Sequence, residues 1–323
     1  MQTKLYRNIR QSAKNRRQDA IKDGGDKMEV DMAVPGFDRI VPKESSLRLI
    51  ADGVRFGEGP VWNKRTQELF WVNIVGDSIW KWQEGVGKTL VMSPSYRADG
   101  MTFDQEGRLV VAGWSWRRVW RLEHDGSVTT LCSEFEGKTL NAPNDIVVKS
   151  DGSIYFTDPT GGLYNVEMHG DDIQRYIDYN GVYRIAPDGK TTLVTKDFTY
   201  PNGLAFNADE SLLYINDSRD DLINVFDVNP DGSIQNGRLF YRLIGREPGV
   251  ADGMKVDVEG NVYCTGPAGI HVVSPSGELL GRIKIPGHST NLCFGDEDWK
   301  GLYVTTYDSV FKVRLGVAGI AVW

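Results

Sequence analysis

Along most of the chain, apolar runs of five or six residues alternate with polar turns, and the pattern repeats. Units such as VVKSDGSIYFTD, AFNADESLLYIND and KVDVEGNVYCTG each read as a short strand, a turn carrying DG, DE or EG, and a second strand. Aligning every unit on the residue four places before its hydrophobic anchor gives six rows. They are EGPVW from Glu58, DGMTF from Asp99, NDIVV from Asn144, NGLAF from Asn202, DGMKV from Asp252 and TNLCF from Thr290. The starts lie 41, 45, 58, 50 and 38 residues apart, and two weaker strands follow most rows, as in GVYRIAPDGKTTLVT. Four strands per unit at this spacing predict an all-β fold, a six-bladed β-propeller. The last row has too little chain after it for a full blade, so residues 46–51 (SLRLIA) are expected to supply the missing strand. The chain then divides into an N-terminal extension, 1–45, and a propeller, 46–323.

That architecture gives the six row starts a common address. The first strand of each blade lies nearest the central channel, and all six inner strands run the same way along it. Glu58, Asp99, Asn144, Asn202, Asp252 and Thr290 should therefore ring one mouth. The next strand is antiparallel and returns to that face, which brings Trp114, Asp158, Asp217 and Thr265 around them. Two or three carboxylates and two amides in a narrow opening repel one another unless a cation joins them. Every candidate donor is an oxygen, which suits one hard divalent ion, Ca2+ first, with Mg2+ or Mn2+ next and Zn2+ the less natural choice. Any one of PNG or ADG alone reads as an ordinary turn; six in register do not.

Charge and composition narrow the partners. With 37 basic and 44 acidic residues the net charge is −7, the wrong sign for a nucleic-acid binder. Residues 1–28 are the exception, with eight Lys/Arg against three Asp. That segment reads as a tail or a short docked helix; Asp19 and the acids after it argue against an organelle presequence. No run approaches the ~18 apolar residues of a membrane span. The three cysteines (Cys132, Cys264, Cys293) form no CxxC and read as buried thiols, so the cytoplasm is the expected compartment. VGKTL and GKTL lack the glycine of a phosphate loop, GHSTN lacks the last glycine of a nucleophile elbow, and the four histidines show no metal spacing.

FGEGPVW, APNDIVVKSDGSIYFTDP, YPNGLAFNADESLLYINDS and ADGMKVDVEGNVYCTGPAGIHV closely resemble the regucalcin–gluconolactonase family, over roughly residues 47–312. The resemblance implies a six-bladed propeller with one catalytic divalent cation, usually calcium, and hydrolysis of lactones. It implies metal ligands at Glu58, Asn144, Asn202 and Asp252, four positions the repeat had already aligned. A related branch, the squid-type organophosphate hydrolases, carries a further acid three residues after the last ligand for a structural calcium. Lys255 stands there, so no second calcium of that kind is expected. Asp99 is not a standard ligand and reads as a turn residue or an acceptor beside the ring. Trp114 and Trp116, in VVAGWSWRRVW, stand where the family more often has smaller or polar groups, which points to a flatter, more apolar lactone than an aldonolactone.

The expected mechanism has the cation grip the lactone carbonyl and Asp252 act as general base, with direct nucleophilic attack by Asp252 as the variant. Arg97, Asp99, Trp114 and Trp116 are the candidates for substrate contact; Asp158, Asp217 and Thr290 are expected just behind the ligands. PTGGLYNVEMHGDDIQRYIDYNG (159–181), the longest insertion, is expected on the same face as a lid or pocket wall. Two other functions stay open: phosphotriester hydrolysis at the same ion, and a non-catalytic ligand-binding propeller.

Overall fold

A computed structural model describes residues 26–322 except Val166. Six sheets of four or five antiparallel strands follow one another in chain order. Their inner strands are Gly57–Asn63, Met101–Phe103, Ile146–Val148, Pro201–Phe206, Met254–Val256 and Ser289–Gly295. They match the six aligned rows, and the fold is a six-bladed β-propeller. Blade six completes itself as expected: Ser46–Asp52 pairs with Ser309–Arg314, so the two ends of the propeller meet in one sheet. Ahead of it, Asp26–Lys27 adds a strand to blade six and Val30–Met32 adds one to blade five. Residues 1–25, including most of the basic segment, lie outside the described residues. Among the described residues no helix is long and apolar enough to cross a membrane.

Each strand packs two ways because its side chains alternate between faces. On Ile154–Asp158, Phe156 joins the cluster shared with blade two, while Tyr155 joins the one shared with blade four. Corresponding clusters fill the other gaps, and Trp71, Trp120, Tyr155, Tyr183, Tyr263 and Tyr303 are fully buried within them. Burying one such ring contributes roughly 2–3 kcal/mol. The turns are those the polar tetrads dictate. In the turn at 150–153, Gly152 sits at φ +87°, donates to Lys149 O at 2.9 Å, and lets Lys149 N–H reach Ser153 O at 2.8 Å.

The C-terminal segment runs beneath the propeller. Gly316 N–H bonds Ile40 O, Gly319 N–H bonds Trp299 O, and Ile320 N–H bonds Val256 O at the lower end of blade five's inner strand. Ile320 packs on the blade four–five cluster, and Val322 packs on those of blades five–six–one and one–two. Two residues later the chain is thus on the other side of the axis, so the tail crosses the lower opening of the channel.

Candidate functional site

The upper rim is tied together by the backbone of the row starts themselves. Gly100 N–H donates to Asn144 O (2.7 Å), Thr157 Oγ1 to Asn202 O (2.9 Å) and Asn216 Nδ2 to Asp252 O (2.5 Å). Gly253 N–H donates to Thr290 O (2.8 Å) and Thr290 Oγ1 to Gly57 O (2.5 Å). Each bond joins one blade to the next, which requires very close approach. A Cβ on Gly59 would lie 2.2 Å from Asp99 O, and one on Gly203 would lie 2.2 Å from Asp252 O. Gly59 also has φ +51°. The glycine after Glu58 is therefore fixed by its neighbour's backbone as well as by its own turn.

The side chains converge as the repeat requires. Glu58 Oε2 accepts from Gly59 N–H and from Asn291 Nδ2, both at 2.9 Å. Burial still pushes its carboxyl up to about 7, with the charge of Asp145 adding to the rise. Asp99 and Asp252 are both raised well above the usual carboxylate range. Desolvation is the main cause, followed for each by the charge of Glu58 and then by other acids of the group. Four carboxylates from blades one, two, three and five thus feel one another in a dry setting. Asn144 Nδ2 donates to Asp99 Oδ2 at 2.8 Å, and Asn202 Nδ2 to Ser218 Oγ at 3.0 Å. Asn202 Oδ1 is buried with no hydrogen-bond partner.

The residues behind the ring hold backbone in place. Asp217 accepts from the N–H groups of Thr199 (2.7 Å), Tyr200 (3.1 Å), Arg219 (2.8 Å) and Asp220 (3.2 Å), which fixes the loop leading into Asn202. Thr265 Oγ1 accepts the Asp252 N–H at 3.0 Å. Asp158 Oδ2 accepts the Asn141 N–H at 2.8 Å, and burial pushes its carboxyl up to about 7. Thr290 bonds backbone and Thr305, while its neighbour Asn291 reaches Glu58.

The substrate-contact candidates lie on the blade-two side. Arg97 Nη1 donates to His169 O at 3.0 Å, inside the 159–181 insertion. Trp114 is buried against Gly161 and Gly162 of the short helix Gly161–Tyr164, where a Cβ on Gly162 would fall 1.4 Å from its ring. Trp116 lies between the Tyr96 ring, stacked at 4.1 Å, and the Arg118 guanidinium at 4.2 Å. Arg117, buried, is held by bonds to Leu140 O (2.8 Å) and Asn141 O (3.1 Å) and anchors the insertion by an ion pair with Asp172 (3.0 Å).

Several residues at the mouth went unread in the sequence. The Tyr200 hydroxyl lies beside Gly161, and its pKa is raised by burial and then by the charges of Asp252 and Asp99. Across the mouth Phe56 packs on Tyr307 (4.6 Å), and His288 stacks on Tyr307 (4.4 Å, 8°) with burial lowering the imidazole to about 4. Tyr200, Phe56 and His288 signal themselves by position alone: each stands one residue before an inner strand. Asp145 also escaped notice, because NDIVV offered its asparagine first.

Among the described residues, no three His, Cys, Asp or Glu groups are arranged to hold a metal by themselves. The four aligned positions offer two carboxylates and two amides, so any ion here relies on amide oxygens. The all-oxygen donor set, the mutual repulsion of the acids and the orphaned Asn202 Oδ1 fit a hard divalent cation.

Fold and site together define an acid-and-amide-ringed six-bladed propeller. Residues 56–308 match the family described as the SMP-30/Gluconolactonase/LRE-like region. The chain belongs to that family. It is 30% identical over 308 residues to the gluconolactonase of Zymomonas mobilis, covering 88% of this chain and 85% of that one. It is 26% identical over 262 residues to the pentonolactonase XacC of Haloferax volcanii, covering 80% and 84%. A solved gluconolactonase from Xanthomonas campestris superposes with a TM-score of 0.84 at 29% identity, covering 90% of this chain and 96% of that one.

Proposed function

We propose that the protein is a divalent-cation-dependent lactonase, a carboxylic ester hydrolase that opens a lactone ring at the upper mouth of the channel. The observation that carries this reading is the oxygen-only ring, in which buried, mutually repelling carboxylates stand beside an amide oxygen with no partner. The activities named for the Zymomonas and Haloferax relatives support a lactone as the substrate class. Glu58, Asn144, Asn202 and Asp252 would hold the ion, Ca2+ before Mg2+, Mn2+ or Zn2+. When bound, it would supply Lewis acidity toward the lactone carbonyl and the oxyanion formed on attack.

The chain's own groups do the rest. Asp252 is held at its backbone by Asn216 and Thr265, which places its carboxylate in the ring to take the proton of the attacking water. Asp99 orients the Asn144 amide through its accepted hydrogen bond. Tyr200 and the Phe56–Tyr307–His288 group frame the mouth with rings, in keeping with a flat substrate. The three free, buried cysteines support a reducing compartment, the cytoplasm.

A panel of lactones and paraoxon-like triesters, assayed with and without EDTA, tests the reading. Lactone turnover should vanish with EDTA and return with Ca2+, and Asp252→Asn should lower kcat/KM by about 10²–10⁴-fold. Turnover of the triester alone would favour phosphotriester hydrolysis. No turnover of any ester would favour a binding propeller, and near-normal hydrolysis by Asp252→Asn would reject the base.

A further inference from the structure

One charged side chain stands inside the channel without a part in the chemistry above. Among the six inner strands described above, Lys255 is the one Lys or Arg. Lys255 is on the inner strand of blade five, yet its Nζ comes within 4.0 Å of Asp145 Oδ2 on blade three. It donates to its neighbour's carbonyl, Met254 O, at 2.9 Å. Its charge also acts on Glu58 of blade one and on Cys293 of blade six. An ammonium felt from blades one, three, five and six sits close to the axis. Asp145 is 2% exposed, its Oδ1 accepts the Ile146 N–H, and its Oδ2 accepts no hydrogen bond at all. Beneath, the tail through Ile320 and Val322 crosses the lower opening.

We propose that Lys255 is a resident counter-ion that sets how tightly the ring above it binds a divalent cation. This rests on the metal-dependent reading just given. The ammonium offsets the charge of Asp145 and part of that of Glu58, and it repels an incoming ion at close range. In a setting of low effective dielectric such a charge acts over many ångströms. The ring therefore binds its ion against the field of a fixed cation, and binding is weaker and more reversible than its two carboxylates and two amides would otherwise make it. The same ammonium occupies the space in which a second ion would sit near Asp145, so one ion per chain is expected.

Calorimetric titration with Ca2+ and with Mn2+ at pH 8 tests this on the full chain without any assay of turnover. Wild type should bind one ion. Lys255→Met should bind it at least fivefold more tightly, while Lys255→Arg, which keeps the charge, should stay within twofold of wild type. Lys255→Gln, neutral but polar, should likewise bind at least fivefold more tightly, which keeps the test usable if the methionine variant does not fold, and unchanged binding by it counts equally against the counter-ion. Unchanged or weaker binding by a folded Lys255→Met, where wild type does bind, overturns the counter-ion alone. Wild type that binds no divalent cation overturns the metal reading, and the counter-ion falls with it.

Discussion

At the scale of single residues, burial decides more than sequence neighbours do. Asp158 ends the second strand of blade three, where its Oδ2 has one backbone donor from Asn141 and its Oδ1 has none. Burial is the largest influence and raises its folded pKa to about 7, against an ordinary value of 3.8. Between those two values the folded state holds a proton that the unfolded state has released. The contribution is therefore fully present below about pH 4 and is lost as pH rises through 7. Asp158→Asn keeps an acceptor for Asn141 and removes the titration. Its stability relative to wild type should rise by roughly 3 kcal/mol between pH 4 and pH 8, read from urea midpoints at each pH; parallel curves would reject the assignment. Residue types at the ring were legible because the repeat aligned them. Lys255 was legible only as a departure from a pattern, since its side chain crosses to another blade and no local rule predicts that reach. Asn291 was hidden as Asp145 was, one place after its row start, where its Nδ2 reaches Glu58 and its Oδ1 accepts the next N–H.

At the scale of elements, the blades were readable and the insertion only partly so. Strand, turn and second strand follow from alternation and from DG-type tetrads, which act within a dozen residues. The insertion instead takes its shape from distant partners. Arg97 holds His169 O, Ser115 Oγ donates to Met168 O, Arg117 pairs with Asp172, and Trp114 fills the space over Gly161 and Gly162. The predicted wall on the upper face is thus fastened to the blade-two loop that carries both tryptophans. Gly162→Ala has no room for its methyl group without displacing the Trp114 ring. The variant should become sensitive to proteolysis within residues 159–181 and show an altered KM, with Ca2+ affinity within about twofold of wild type by calorimetry. Unchanged protection and KM together would mean that the helix and Trp114 repack freely.

At the scale of the whole molecule, counting strands predicted the closure by residues 46–51, since six equal blades leave a gap of one strand. The tail below the channel gave no such signal, because a few apolar residues after the last strand say nothing about where they land. Ending the chain at Leu315 removes Val317, Ile320 and Val322 from the underside. At about 1.5–3 kcal/mol for a fully buried aliphatic group such as Val317, less for the half-covered Ile320 and Val322, the truncated protein should lose a few kcal/mol in urea titration. A stability equal to that of the full chain would show that the tail adds nothing. The closure of blade six has another outcome. Five of the six blades are each a single continuous run through their four main strands, whereas the sixth is fastened to Ser46–Asp52 by hydrogen bonds and side-chain packing. A hoop with one such seam can be undone from either end, and the vacated edge would accept the same strand from another copy of the chain. The seam is where two molecules would trade segments.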